Sequence, residues 1–278
     1  MISTKVAAIL SAGFLLAILS PSTLGFVSDP ILYLDASDNS AHPNGWINSG
    51  TAGGQIPRRG KTPNLEPNAG PDGDPAYAAD EVGQSFGTEG GLSLFFEDWT
   101  IEIWMKREGP AIGGGEHQFF GMADGPWPFK QAIILRFDNL NGGPDSGKVR
   151  LLLISADGGG VDKGKHFFPG VDIGAKRWHH VAFTFNNSTR TLRSYLDGRR
   201  TDSEKTEQDY NAKTRMQRIA IFRSDVGDRD DRVLNGAISL VRLYDKVLND
   251  DEIRENFNHP RAVDPGGKLT TTWGRLKA

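Results

Sequence analysis

Residues 178–203, WHHVAFTFNNSTRTLRSYLDGRRTDS, contain two short alternations separated by turn residues. Val181, Phe183 and Phe185 interleave with Ala182 and Thr184, the two-residue period of a strand with one face in a core. Asn186, Asn187 and Ser188 break that run. A second run sets Leu192, Ser194 and Leu196 against Arg193 and Tyr195 and ends at Asp197-Gly198. That dipeptide suits the positive φ angles of a tight hairpin turn, so the stretch predicts a β-meander.

Working outward, two further stretches have the same character: Trp99–Lys106, WTIEIWMK, and Leu234–Leu248, LNGAISLVRLYDKVL. Together with W-H-H-V-A-x-T-F and Y-L-D-G-R, and in this order, they resemble the laminin-G-like, or concanavalin A-like, jelly-roll domains. The resemblance extends over roughly residues 28 to 258. It implies an all-β, antiparallel β-sandwich with one short C-terminal helix, and it is far more specific for a fold than for a ligand.

The chain opens with Lys5, an apolar run from Val6 to Leu19 and then Pro21-Ser22-Thr23-Leu24-Gly25. Charge, length and flanks are those of a secretory signal peptide. The apolar run falls short of the ~20 residues of a membrane-spanning helix. The expected division is therefore a signal over residues 1–25, one domain over 26–258 and a tail over 259–278, with a secreted, extracellular or periplasmic product and no transmembrane span in the mature chain. The sequence has no cysteine, which excludes disulfides and a lipidated cysteine anchor. Of the 32 basic side chains, residues 1–25 hold only Lys5 and no acid, so 31 remain against 35 acidic ones, a net charge near −4. No clustered basic face is implied, which argues against a nucleic-acid partner.

Between these anchors, Ile31–Asp35 predicts a first strand, and Ala36–Pro75, rich in Gly, Pro, Asn and Ser, predicts a long irregular region. Ala76–Gly87 predicts strand, turn, strand. Gln118–Met122, Gln131–Asp138, Lys148–Ser155 and Met216–Arg223 predict strands, with an edge strand at His166–Phe168. Asn249, with Glu252 three residues later and acids in between, predicts a capped helix whose Ile253 and Phe257 share one face.

Because the resemblance includes β-glucanases, paired carboxylates come first. Such enzymes set a nucleophile and a general acid on one strand face. Here Glu97, Asp98 and Glu102 have the wrong spacing, since Glu102 shares its face with Thr100 and Trp104. Asp98 is expected in a turn and Glu102 on the solvated or concave face. His179 and His180 are adjacent and so point to opposite faces, which denies them a shared metal; one is expected at the sheet edge and the other against a loop. No HExxH motif occurs.

The resemblance also implies Ca2+ at the sheet rim as one alternative, with a solvated polar turn as the other. Asp225, Asp228, Asp230 and Asp231 in SDVGDRDDR offer hard oxygen ligands, partly offset by Arg223, Arg229 and Arg232; Asp138, Asn139 and Asp145 form a second such group. For ligand contact, Trp127 and Phe129 in GPWPF stand out, two large aromatics in a loop stiffened by prolines, and Trp46 is a further candidate. The alternative is that these aromatics cap the end of the sandwich. Asn186 and Asn187 each begin an N-x-S/T sequon. The function expected is a non-catalytic recognition or adhesion module taking a glycan, or an extracellular protein, on its rim loops. A glycoside-active enzyme and a purely structural cell-surface domain are the competing classes.

Overall fold

The computed structural model describes residues 27–39, 44–88, 90, 92–109, 112, 117–126, 130–137, 148–154, 165–206, 215–223 and 233–261. The predicted signal segment therefore lies outside the described residues, as does all of the tail beyond Arg261, Trp273 included. In chain order the strands are β1 (Leu32–Asp35), β2 (Gly45–Ile47), β3 (Gln55–Pro57), β4 (Asn64–Glu66), β5 (Ala76–Ala79), β6 (Phe86–Thr88), β7 (Trp99–Arg107) and β8 (His117–Ala123). They continue with β9 (Ala132–Phe137), β10 (Lys148–Ile154), β11 (Lys165–Asp172), β12 (Trp178–Asn186), β13 (Thr191–Leu196), β14 (Arg199–Lys205), β15 (Arg218–Ile221) and β16 (Gly236–Tyr244). Helix α1 (Asp250–Asn258) follows, and a 3-10 turn occupies Ala36–Asn39.

All pairings in the sheets are antiparallel. One sheet of eight strands runs β14-β13-β12-β7-β16-β5-β4, with β1 also on β16; a second runs β11-β10-β9-β8-β15-β6. Alternation explains how they stack. On β7, Ile101, Ile103 and Met105 face inward and are wholly buried; on β12, Val181, Phe183 and Phe185 do the same. From the six-stranded sheet come Phe120, Met122, Ile133, Leu135, Leu151 and Leu153. A β-bulge between Ile238 and Leu240 interrupts the alternation of β16, so that Ile238 and Val241, three apart, both reach this core.

The predicted meander is present in register, Val181 opposite Leu196 and Phe183 opposite Ser194. Its second turn has positive φ at both Asp197 (50°) and Gly198 (73°), the geometry of a two-residue hairpin. A Cβ on Gly198 would also lie 2.9 Å from the Cβ of Phe257, so the turn glycine makes room for the helix. In the first turn Asn186 Oδ1 accepts from the Thr189 N–H and from the Ser188 and Thr189 hydroxyls.

Ala36–Pro75 departs from expectation. Besides the 3-10 turn it contains β2, β3 and β4, each three residues long and too short to display a period. Trp46 is correspondingly misjudged as a surface contact. It is fully buried in the core, with its ring 4.8 Å from Tyr77 and 5.5 Å from Phe86.

Helix α1 begins as predicted. Asn249 accepts the N–H groups of Asp251 and Glu252, and Glu252 reciprocates to the Asn249 N–H, a complete capping box. The helix lies on the outer face of the eight-stranded sheet. Thr100 on β7 anchors the link that leads into it, donating to the Lys246 carbonyl (2.8 Å) and accepting from the Leu248 N–H (2.9 Å). Tyr195 donates to Asp250 (2.9 Å), and its hydroxyl pKa is pushed up to about 12 by burial and by that bond. Ile253 is buried and Phe257 stacks on Trp104, rings 5.4 Å apart and 12° from parallel.

Candidate functional site

The acid most open to a catalytic reading, Glu102, lies beneath α1 rather than on a solvated or concave face, and is only 2% exposed. One oxygen accepts the Asn256 side-chain amide (2.6 Å) and stands 3.5 Å from the Arg242 guanidinium; the other is 3.2 Å from His180 Nε2. Asn256 binds further to the Tyr244 hydroxyl and accepts the Val27 N–H. Arg242 in turn donates to the Pro260 carbonyl, and Arg261 extends the strap with bonds to Asp35 (2.8 Å) and Asp74 (2.5 Å). A substrate has no route to a carboxylate held this way. Asp98 sits in a turn as expected, accepting the Asn187 N–H (2.7 Å), and Glu97 is exposed.

The two histidines do face apart. His180 is fully buried against Glu102, Trp104 and Phe257; His179 meets Asp197 at 3.0 Å in the β13–β14 turn. Neither is at a sheet edge, because β12 runs between β7 and β13. Burial pushes the Asp197 carboxyl upward, but the hydrogen bonds from His179 and the His180 N–H outweigh it and hold its pKa below the usual carboxylate range.

Of the remaining sequence candidates, Trp127 and Phe129 lie outside the described residues, in the connection from β8 to β9. The root of that connection is fixed: the Asp124 N–H donates to Gln131 O (3.1 Å), and its carboxylate accepts the Lys130 (3.0 Å) and Gln131 (3.2 Å) N–H groups. Asp225, Asp228, Asp230 and Asp231 also lie outside the described residues, between β15 and β16, as do Asp138, Asn139 and Asp145. Among the described residues no group of three or more His, Asp or Glu could hold a metal ion, and no helix is long and apolar enough to cross a membrane.

The structure adds residues that sequence reading passed over. Leu94 and Met216 exchange backbone hydrogen bonds (3.0 and 2.8 Å) and point into the core, 4% and 3% exposed. Phe96 is also core. Phe95, between the two core side chains, must therefore point outward, and it is 56% exposed, the more open of the two large apolar side chains left at the surface of the described residues. One step along an antiparallel pair puts Arg215 directly opposite Phe95. Arg215 is exposed too, and its guanidinium donates to the Ser93 hydroxyl (2.8 Å). Ser93, Phe95 and Glu97 alternate along one exposed row. The Gln217 N–H donates to Ala123 O (2.9 Å), which ties this segment to the end of β8, where the β8–β9 connection begins.

The two-sheet antiparallel sandwich is the architecture of concanavalin A-like domains. Residues 83–254 match the profile of the concanavalin A-like lectin/glucanases superfamily, and the chain belongs to that family. None of the curated protein sequences matches it. Among solved structures it is similar to domain 4 of AbnA, an extracellular arabinanase from Geobacillus stearothermophilus, in complex with arabinotriose: TM-score 0.59, 16% identity, covering 82% of this chain and 97% of that one. It is also similar to the botulinum neurotoxin serotype D ligand-binding domain in complex with N-acetylneuraminic acid (TM-score 0.54, 14% identity) and to the type G receptor-binding domain (TM-score 0.52, 12% identity). In both toxin comparisons 83% of this chain is covered, against 50% and 51% of the other. At identities this low the similarity shows a common fold alone.

Proposed function

We propose that this protein is a secreted, non-catalytic recognition module that binds carbohydrate at one end of its sandwich. The observation that carries this reading is the outward Phe95, 56% exposed and set opposite Arg215. A rigid aromatic face beside hydrogen-bonding groups suits a sugar ring, whose C–H face is apolar and whose rim is polar. The β8–β9 connection, with Trp127 and Phe129, starts close by and supplies the further aromatic contacts expected from sequence. Two of the similar solved domains have a sugar bound, arabinotriose in one and N-acetylneuraminic acid in the other, which supports glycan as the ligand class.

A hydrolytic reading has less behind it, because Glu102 is sealed and Asp98 is committed to a backbone N–H. Calcium, in this proposal, is held by Asp225, Asp228, Asp230 and Asp231. The test is a glycan array probed with the mature protein, with and without calcium, followed by titration of the best ligand. Phe95→Ala and Trp127→Ala should each weaken that ligand about tenfold or more. Absence of binding to any glycan, or turnover of a β-glucan, overturns the reading.

A further inference from the structure

We infer that the Phe95 platform selects a sugar bearing a carboxylate, an inference that rests on the glycan reading just given. The row is polarised along its length. At one end Arg215 donates to Ser93 and has no other partner among the described residues, so its remaining N–H groups face solvent next to Phe95. At the other end Glu97 is exposed and has no partner among the described residues.

A ring laid on Phe95 therefore meets a cation at one side and an anion at the other. A guanidinium recognises carboxylate by paired parallel N–H bonds, and these charge-assisted bonds are the strong ones. The Ser93 hydroxyl fixes the direction of the guanidinium in advance, which lowers the ordering cost on binding. Glu97 can only accept, so it suits the hydroxyls on the far side of the ring and repels a carboxylate placed there. The ligand that satisfies both ends carries its acid group towards Arg215 and hydroxyls towards Glu97. Uronic and sialic acids share that chemistry.

The experiment uses the full-length chain and two acidic probes, α-1,4-linked trigalacturonate and sialyllactose, each beside its own methyl ester, which keeps the shape and removes the charge. The expected result is that at least one acid binds about tenfold more tightly than its ester at low salt, with the preference shrinking as salt is added. The probe that shows this distinguishes uronate from sialate. Arg215→Gln should abolish the preference and leave the ester's affinity in place, Arg215→Lys should retain only part of it, and Phe95→Ala should weaken acid and ester alike. Equal affinity for acid and ester, or a preference that survives Arg215→Gln, overturns the inference while leaving the glycan reading intact. Binding to neutral glycans alone has the same consequence, whereas no binding to any sugar overturns both.

Discussion

The outer face of the eight-stranded sheet and the Phe95 end of the molecule are built by the same alternation, yet they have opposite fates. The first carries Glu102, His180, Arg242 and Trp104, a set that would pass for catalytic if it were open. Helix α1 covers it as a third layer, and Glu102 ends 2% exposed with Asn256 as its closest partner. Among the described residues the second carries Phe95, Arg215, Ser93 and Glu97, and Phe95 is left 56% exposed. What separates a structural ionic cluster from the proposed binding surface is access, not composition.

The largest effect that would sharpen this contrast is on stability. Glu102→Ala removes the acceptor of the Asn256 amide and breaks a buried ion pair with Arg242, so it should cost about 3–5 kcal/mol in denaturant unfolding. A loss under about 1 kcal/mol would mean that the cluster is not holding α1 down. Asn249→Ala should cost about 1 kcal/mol through the lost cap, measured in the same way.

A smaller effect depends on pH. The Asp197 pKa is depressed in the fold, so its contribution to stability is present above the carboxylate's unfolded pKa and is lost as pH falls through the lower folded value. Asp197→Asn, which tolerates the positive φ at this turn, should be less stable than the parent at neutral pH, with the two melting curves converging in acid. At the open end the expected stability change is the smallest: Phe95→Ala and Arg215→Gln should shift unfolding by no more than about 0.5 kcal/mol.

The legible parts of the fold were those written in local spacing. The meander of β12, β13 and β14, the alternation of β7 and the capping box at Asn249 all involve residues within a few positions of one another. The burial of Glu102 was not legible, because its partner Asn256 lies 154 residues away and no local pattern encodes that contact. Trp46 failed for a similar reason, since Tyr77 and Phe86, which enclose it, come from other strands. Phe95 was hidden by its neighbours: in LSLFFEDW both phases of the alternation hold an apolar residue, and only the Leu94–Met216 pairing shows which one faces out.

The central claim, that recognition belongs to the open end and not to the sealed face, is tested most directly by titrating the array-selected glycan against the parent chain and Phe95→Ala, with the melting temperature of each measured alongside. The account predicts a loss of about tenfold or more in affinity with the melting temperature unchanged. Unchanged affinity in Phe95→Ala would contradict it.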